Sequence, residues 1–211
     1  PKILMVPVYD FCSTSSLSQF FDQLNILSEF VHNRKFSALG PGGLDKERAT
    51  SNARNIHPSY SGRLCLIDTP EGANSGLVSS QAIHTRKNAF GFLEAPYIKV
   101  KAGIILKGDP IYLSADVEDN YKIANTIGVK IDKNGKILDE IIKCKYKGEI
   151  IKTPSKEVDF VFYDNCQMLS ASAVLIPGFP NSPSVRNQMG VNMYKQSLPS
   201  IHYKQEPPIA V

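Results

Sequence analysis

The residues whose types and spacing could do chemistry sit in two places along this 211-residue chain. The first is Gly40-Pro41-Gly42-Gly43, which runs through Leu44 into Asp45-Lys46-Glu47-Arg48. Glycine is too free, and proline too short of donors, for this run to lie inside a helix or strand. It predicts a tight loop with a charged tip, a form that brings a backbone close to a partner. The second place is a helix opening at Asn181 or Ser182 with Pro183 at its first position. It carries Arg186, Asn192 and Gln196 as polar residues. Asn192 and Gln196, one turn apart, share a face, and Arg186 lies about 15 Å from Gln196 at roughly 1.5 Å per residue. Val185, Met189 and Met193 are expected to form the buried face of the same helix.

Several chemistries are excluded. No Gly-Lys-Ser/Thr follows the glycines at P-loop spacing, and the run is no dinucleotide fingerprint. His32, His57, His84 and His202 stand in four unrelated contexts, without a nucleophile–base order. Cys12, Cys65, Cys144 and Cys166 form no C-x-x-C pair, so a zinc site is not expected and all four read as buried reduced thiols. No Asp-rich metal motif occurs. A net charge of +4 is small for a nucleic-acid binder. Residues 1–100 hold ten Lys/Arg against eight acids, and 101–168 hold eleven of each. Any polyanion must therefore be met by a few well-placed residues. The apolar share of 42% suffices for a core, and no apolar run is long enough to span a membrane. Pro1 in place of Met, and the lack of a designed stop after Glu206-Pro207-Pro208, read as a segment of a longer polypeptide.

The elements that must position these residues follow from periodicity. Ser13 to Ser16 offer caps for a helix with Leu17, Phe20, Phe21 and Leu24 on one stripe. Asn25 caps a second helix that turns Leu27 and Val31 inward. Arg63 to Asp68 reads as a short buried strand, and Asn74 or Ser75 as the cap of a helix reaching about Arg86. Beyond Phe90 the texture becomes β: 97–101, 111–114, 121–124, 137–144 and 158–163 are short strands, with an Asn-Gly hairpin signal at 133–136. The evenly balanced charges of 90–168 are expected to be solvated. The chain is thus α+β mixed, α-rich over 1–89, β-rich over 90–168, and apolar and helical again from 169.

The wording of the sequence carries the reading further. Leu17-Ser18-Gln19-Phe20-Phe21-Asp22-Gln23, His32-x-Arg34, Ser37-Ala38-Leu39-Gly40-Pro41-Gly42-Gly43-Leu44 and His57-Pro58-Ser59 come first. Asp68-Thr69-Pro70-Glu71-Gly72-x-Asn74, Gly91-Phe92-Leu93-Glu94, Ser172-Ala173-x-Leu175-Ile176-Pro177 and Arg186-x-x-Met189-Gly190-x-Asn192-Met193-x-x-Gln196 follow in order. Together they resemble the β subunit of bacterial-type multisubunit RNA polymerase, centred on its fork region, over nearly the whole chain.

The resemblance implies three parts: a fork region (1–89), an inserted external module (90–168) and the incomplete start of the hybrid-binding region (169–211). It implies Arg186 and Glu71 at the incoming nucleotide, Asn74, Asn192 and Gln196 at the RNA–DNA hybrid, and Lys46 and Arg48 at the downstream fork. It implies a rifamycin-pocket-like wall of Gln19, Phe20, Asp22, His32, Lys35, Ser37, Leu39, Pro70, Asn74 and Val78. Lys35 stands where arginine is usual and lacks its planar fork. The function implied is nucleotidyl transfer by DNA-directed RNA polymerase, with no catalytic or metal-binding residue in this piece. Mg2+ would be held by a partner subunit; the partners would be β′, α and σ-type subunits, DNA template, nascent RNA and NTPs, with no membrane. Ile67-Asp68-Thr69 and Ala82-Ile83-His84-Thr85 resemble plastid-encoded members, which implies the chloroplast stroma, the alternative being a bacterial cytoplasm. A competing reading is a stand-alone single-stranded RNA binder that uses Phe20, Phe21 and the glycine loop as a platform.

Overall fold

The computed structural model describes residues 2–15, 17–132 and 135–198. Helix and sheet are mixed. Helix α1 (Lys2–Thr14) is followed by α2 (Ile26–His32), strand β1 (Lys35–Ser37), two single 3-10 turns, β2 (Val78–Ser80) and β3 (Arg86–Lys87). Then come β4 (Leu93–Lys101), β5 (Ile104–Ile105), β6 (Ile111–Leu113), α3 (Ala115–Glu118), β7 (Ile123–Ala124), β8 (Ile141–Tyr146), β9 (Glu149–Pro154) and β10 (Phe160–Phe162). Helices α4 (Ala171–Val174) and α5 (Ser184–Gln196) close the described chain.

Two expected helices are absent, each for a local reason. The hydroxyl cluster before Leu17 ends a helix where it was expected to start one: Ser13 Oγ and Thr14 Oγ1 donate to the Asp10 carbonyl (3.1 and 2.7 Å). Ser16 lies outside the described residues. Residues 17–24 are irregular, and Leu17 and Phe20 are exposed, so the apolar stripe has no core to face. The helix expected over 74–86 is replaced by strands. Residues 78–80 pair antiparallel with β1 in the register Lys35↔Ser80, Phe36↔Ser79, Ser37↔Val78, and this tertiary pairing overrides local propensity. The strand expected at 63–68 shrinks to one bridge, Leu64↔Gln81.

The β-rich part matches the expected strands in part: β4, β6, β7 and β10 overlap 97–101, 111–114, 121–124 and 158–163, the run expected at 137–144 is paired over Ile141–Tyr146, and β5 and the six-residue β9 were not expected. Eight strands form one sheet in the order β3-β4-β10-β7-β8-β9, with β5 and β6 also paired to β4. All pairings are antiparallel except β10 with β7. Of the Asn-Gly signal, Lys133 and Asn134 lie outside the described residues, but Ile131 bridges Ile137 across it. The longest hairpin, β8–β9, turns through Lys147-Gly148 with positive φ at both (49° and 79°). One face of this sheet buries Val100, Ile142, Cys144, Val158 and Val161; another cluster gathers Ala95, Tyr97, Leu113, Ile123, Phe160 and Phe162.

The charges of this module are not all solvated, contrary to the expectation from their balance. Glu118 is 2% exposed and lies between Arg63 Nη1 (2.5 Å) and Lys145 Nζ (2.7 Å). Arg63 also donates to the carbonyls of Leu93 (3.1 Å), Leu113 (2.9 Å) and Ser59 (3.1 Å), and Lys145 to that of Pro58 (2.7 Å). These bonds fasten residues 58–63 to the sheet. Burial, reinforced by the Glu118 charge, pushes the Tyr97 phenol well above its usual range.

The cysteines divide as well. Cys65 and Cys144 are buried as expected, whereas Cys166 is half-buried and Cys12 exposed on α1, which buries no residue among those described. Burial raises the Cys144 and Cys166 thiols. Among the described residues no group of three His, Cys, Asp or Glu is placed to hold a metal ion. No described helix is long and apolar enough to cross a membrane.

Candidate functional site

Asn25 organises the first wall. Its Oδ1 accepts from Ser28 N–H (2.7 Å), while Ser28 Oγ accepts from Asn25 N–H (3.2 Å), a reciprocal cap that starts α2. The amide end of the same side chain donates to the carbonyls of Ser197 (2.7 Å) and Tyr194 (3.1 Å), the last turn of α5. One side chain thus satisfies orphan groups at one helix's start and another's end. Asn25→Ala is expected to cost about 1–2 kcal/mol. The cost should appear as lost amide-exchange protection in both α2 and the last turn of α5; loss in α2 alone would refute the double role.

Beyond α2 the structure brings Gln19, Asp22 and His32 together. The Asp22 N–H donates to His32 Nδ1 (3.0 Å), so the neutral ring carries its proton on Nε2, which faces Gln19 Oε1 at 3.2 Å. Phe21 stacks on the same imidazole at 5.6 Å, while Phe20 is fully exposed. Lys35 and Ser37 lie on β1, and Val78 is the cross-strand partner of Ser37.

The glycine loop continues this ladder. Ala38 N–H donates to Leu77 O (2.8 Å), Leu44 N–H to Ala38 O (2.8 Å) and Gly43 N–H to Gly40 O (2.9 Å). A Cβ on Gly43 would lie 2.5 Å from the Ala38 oxygen, so the close turn demands glycine there. Leu39, Gly40, Gly43, Leu44, Asp45 and Lys46 line a hollow of about 500 Å³, and Asp45 to Arg48 are exposed at its edge.

The facing loop, 69–76, is tied by Thr69, whose hydroxyl donates to Val78 O and accepts from Gly76 N–H (both 2.9 Å). Arg54 Nη1 donates to the carbonyls of Ala73 (2.8 Å) and Ser75 (2.7 Å). Glu71 is exposed and Asn74 half-buried on this loop. The Asn74 Oδ1 is buried without a hydrogen-bond partner among the described residues.

Helix α5 supplies the opposite wall, but with its faces reversed from expectation. Val185, Met189 and Met193 are 59%, 41% and 57% exposed. The buried positions are Asn187 and Val191. Val191 packs with Cys65 and Ala173, and the Asn187 amide donates to Phe179 O (3.0 Å). A polar residue hydrogen-bonded inward at i and valine at i+4 make a helical face that an apolar-only count misses.

Two adjoining clefts result. Pro70, Glu71, Met189, Asn192, Met193 and Gln196 line one of about 520 Å³. The other, about 210 Å³, shares Pro70, Asn192 and Gln196 and adds Asp22, Lys35, Asp68, Val78 and Lys195 among its walls. Seven of the residues picked from the sequence therefore converge: Asp22, Lys35, Pro70, Glu71, Val78, Asn192 and Gln196. Arg186 stands apart at the exposed start of α5. It is in no ion pair among the described residues, where its one side-chain hydrogen bond goes to Met189 Sδ (3.6 Å). Gln19, Phe20, His32, Ser37, Leu39 and Asn74 line neither cleft, and Lys46 and Arg48 belong with the glycine loop.

Sequence reasoning passed over Asp68 and Lys195, which pair across the second cleft. It also missed Gln188, whose amide donates to Thr69 O (3.0 Å). An acid ending an apolar run, Leu64-Cys65-Leu66-Ile67-Asp68, was the available signal. The clefts offer carboxylate, amide and ammonium groups that can hold phosphate, sugar and base edges without reading sequence.

Two family descriptions match the chain: "RNA polymerase Rpb2, domain 3" over residues 19–86 and "RNA polymerase beta subunit external 1 domain" over residues 97–161. Similar proteins carry the name DNA-directed RNA polymerase subunit beta. Those of Prochlorococcus marinus strains MIT 9303 and MIT 9312 are 48% and 47% identical over 200 residues. That of Synechococcus sp. strain CC9311 is 46% identical over 200 residues. In each case the match takes in 94% of this chain and 18% of the relative, so the chain spans less than a fifth of these relatives' length.

Proposed function

Because this chain belongs to the RNA polymerase β-subunit family, we propose that it serves DNA-directed RNA synthesis as the part of a β subunit that positions hybrid, fork and incoming nucleotide. The carrying observation is the shared cleft: Glu71 on one loop faces Asn192 and Gln196 on α5, with Arg186 on the same helix. Arg186 contributes a permanent charge and a fork suited to phosphate. Asn74, Asn192 and Gln196 contact transcript and template backbone without preferring a base. Lys46 and Arg48, exposed beside the glycine loop, meet the downstream duplex. The residues around Asp22, His32, Lys35, Pro70 and Val78 form the rifamycin-pocket-like wall.

In this reading 1–89 is the fork region, 90–168 the external module and 169–211 the start of the hybrid-binding region. The two family matches fall inside the first two spans. The phosphoryl transfer itself is metal-assisted, its Mg2+ held by carboxylates of another subunit. The partners are β′, α and σ-type subunits together with template, transcript and NTPs. The plastid-like wording at 67–69 and 82–85 favours a chloroplast stroma, the alternative being a bacterial cytoplasm.

The test is Arg186→Ala in the assembled enzyme. Loss of one charge-assisted phosphate contact predicts an apparent nucleotide KM raised about 10- to 100-fold with promoter binding intact. An unchanged nucleotide dependence would sink the assignment.

A further inference from the structure

Helix α5 carries Asn192 and Gln196 on the side away from its buried positions, Asn187 and Val191, so the packing of Val191 on Cys65 and Ala173 seats the helix without touching that face. The face itself is tied toward the 69–76 loop by polar contacts. The tie nearest to both walls is an ion pair. Lys195 follows Asn192 by three residues and precedes Gln196, and Asp68 precedes Pro70 by two and Glu71 by three.

Lys195 Nζ meets Asp68 Oδ1, and Ser170 Oγ donates to Asp68 Oδ2 at 2.9 Å. With both oxygens engaged the carboxylate cannot rotate away. Ser170 is itself the N-cap of α4, accepting from Ala173 N–H. Asp68 is 2% exposed and Ser170 is buried, while the Lys195 side chain keeps only a small share of its surface. At such burial a charge pair holds one geometry, because either partner alone is left without compensation. The Gln188 bond to Thr69 O ties the helix one turn below Asn192, but it is neutral and single.

We propose that Asp68 and Lys195 are positioning residues for nucleotide addition: a buried clasp that sets the spacing between the Pro70–Glu71 wall and the Asn192–Gln196 wall. This rests on the functional reading above, and neither residue needs to touch substrate. The clasp also forms part of the 210 Å³ cleft that holds Asp22 and Lys35, so it links the two clefts mechanically.

The experiment is single-nucleotide addition by the assembled polymerase, comparing Asp68→Asn, Lys195→Met, Lys195→Arg and the Asp68→Asn/Lys195→Met double variant, with Arg186→Ala alongside. Misplacing one wall by about an ångström predicts an apparent nucleotide KM roughly tenfold higher or more in both charge-removing single variants, with kcat little changed. Lys195→Arg keeps the wild-type KM. The double variant leaves no unpaired buried charge, so amide-exchange protection of α4 and α5 returns while KM stays raised. Wild-type KM in both single variants, or KM recovering together with protection in the double variant, overturns the clasp. A raised KM in Arg186→Ala beside unaffected clasp variants overturns the clasp alone. No effect of Arg186→Ala overturns the functional reading and the clasp with it.

Discussion

Glu118→Gln is expected to lower the amide-exchange protection of β4, β7 and β8 by about two to three orders of magnitude in the full-length subunit. The substitution keeps the side chain's shape and removes its charge, leaving Arg63 and Lys145 facing each other with no anion between them. Breaking one partner of a buried ionic cluster costs about 3–5 kcal/mol, and each 1.4 kcal/mol is about tenfold in an equilibrium. Arg63 cannot escape to water, because three of its nitrogens are bonded to carbonyls at Ser59, Leu93 and Leu113. Glu157→Gln is the matched control: its bond to Lys122 is as short, at 2.6 Å, but exposed, and exposed pairs contribute little. Equal effects from the two substitutions would refute the idea that the buried cluster joins 58–63 to the sheet.

Gly76→Ala comes second in size, and it acts on the site loop itself. Gly76 has φ +77°, and a Cβ there would lie 2.7 Å from the Arg54 oxygen and 2.9 Å from its Cα. The left-handed backbone alone costs a non-glycine residue about 1–2 kcal/mol, and forcing an atom into closed space about 1–3 more. Arg54 cannot yield freely, since its guanidinium holds the carbonyls of Ala73 and Ser75. The expected outcome is a protease-sensitive 69–76 loop and, if Glu71 and Asn74 on it have the roles proposed above, a raised nucleotide KM. Gly72→Ala separates the two causes. Its φ is +89° with open space around the new carbon, so only the backbone cost applies, about 1–2 kcal/mol. If both substitutions behave alike, the contact with Arg54 is not what makes Gly76 necessary.

Much of the sheet was legible because short β-branched and aromatic runs bounded by turn residues mark strands: Tyr97 to Lys101 and Phe160 to Phe162 fall in such runs, the latter buried at every position. The first 89 residues were less so. Leu17, Phe20, Phe21 and Leu24 have helical spacing, yet spacing predicts a helix only where a core receives the stripe, and Leu17 and Phe20 are exposed here. The same fault inverted α5. Met189 and Met193 look like a core face, but Asn187, an amide hydrogen-bonded inward, takes that place. Site residues were read mainly from quoted motifs. Those motifs named both walls of the cleft and contained Asp68, but gave no role to Asp68 or Lys195, whose pairing exists only once the fold brings together residues 127 positions apart. Buried charge is the term a linear reading handles worst: Glu118 and Asp119 are adjacent acids, and only the fold decides that one is sealed.

The double cap at Asn25 has a consequence in time. Its amide bonds the carbonyl of Ser197, 172 residues downstream. A ribosome adding 5–20 residues per second needs about 9–34 s to bridge that gap. Helix α2 can be started by its own reciprocal cap well before then, and the antiparallel strands of the β-rich part can pair as they emerge. The cleft cannot, because one of its walls has not yet been made. By the time α5 emerges, the folded sheet has replaced a long floppy loop with a short rigid spacer, and the cost of closing the ring falls accordingly. The module that contributes no wall to the cleft is thus the one that allows its two sides to meet.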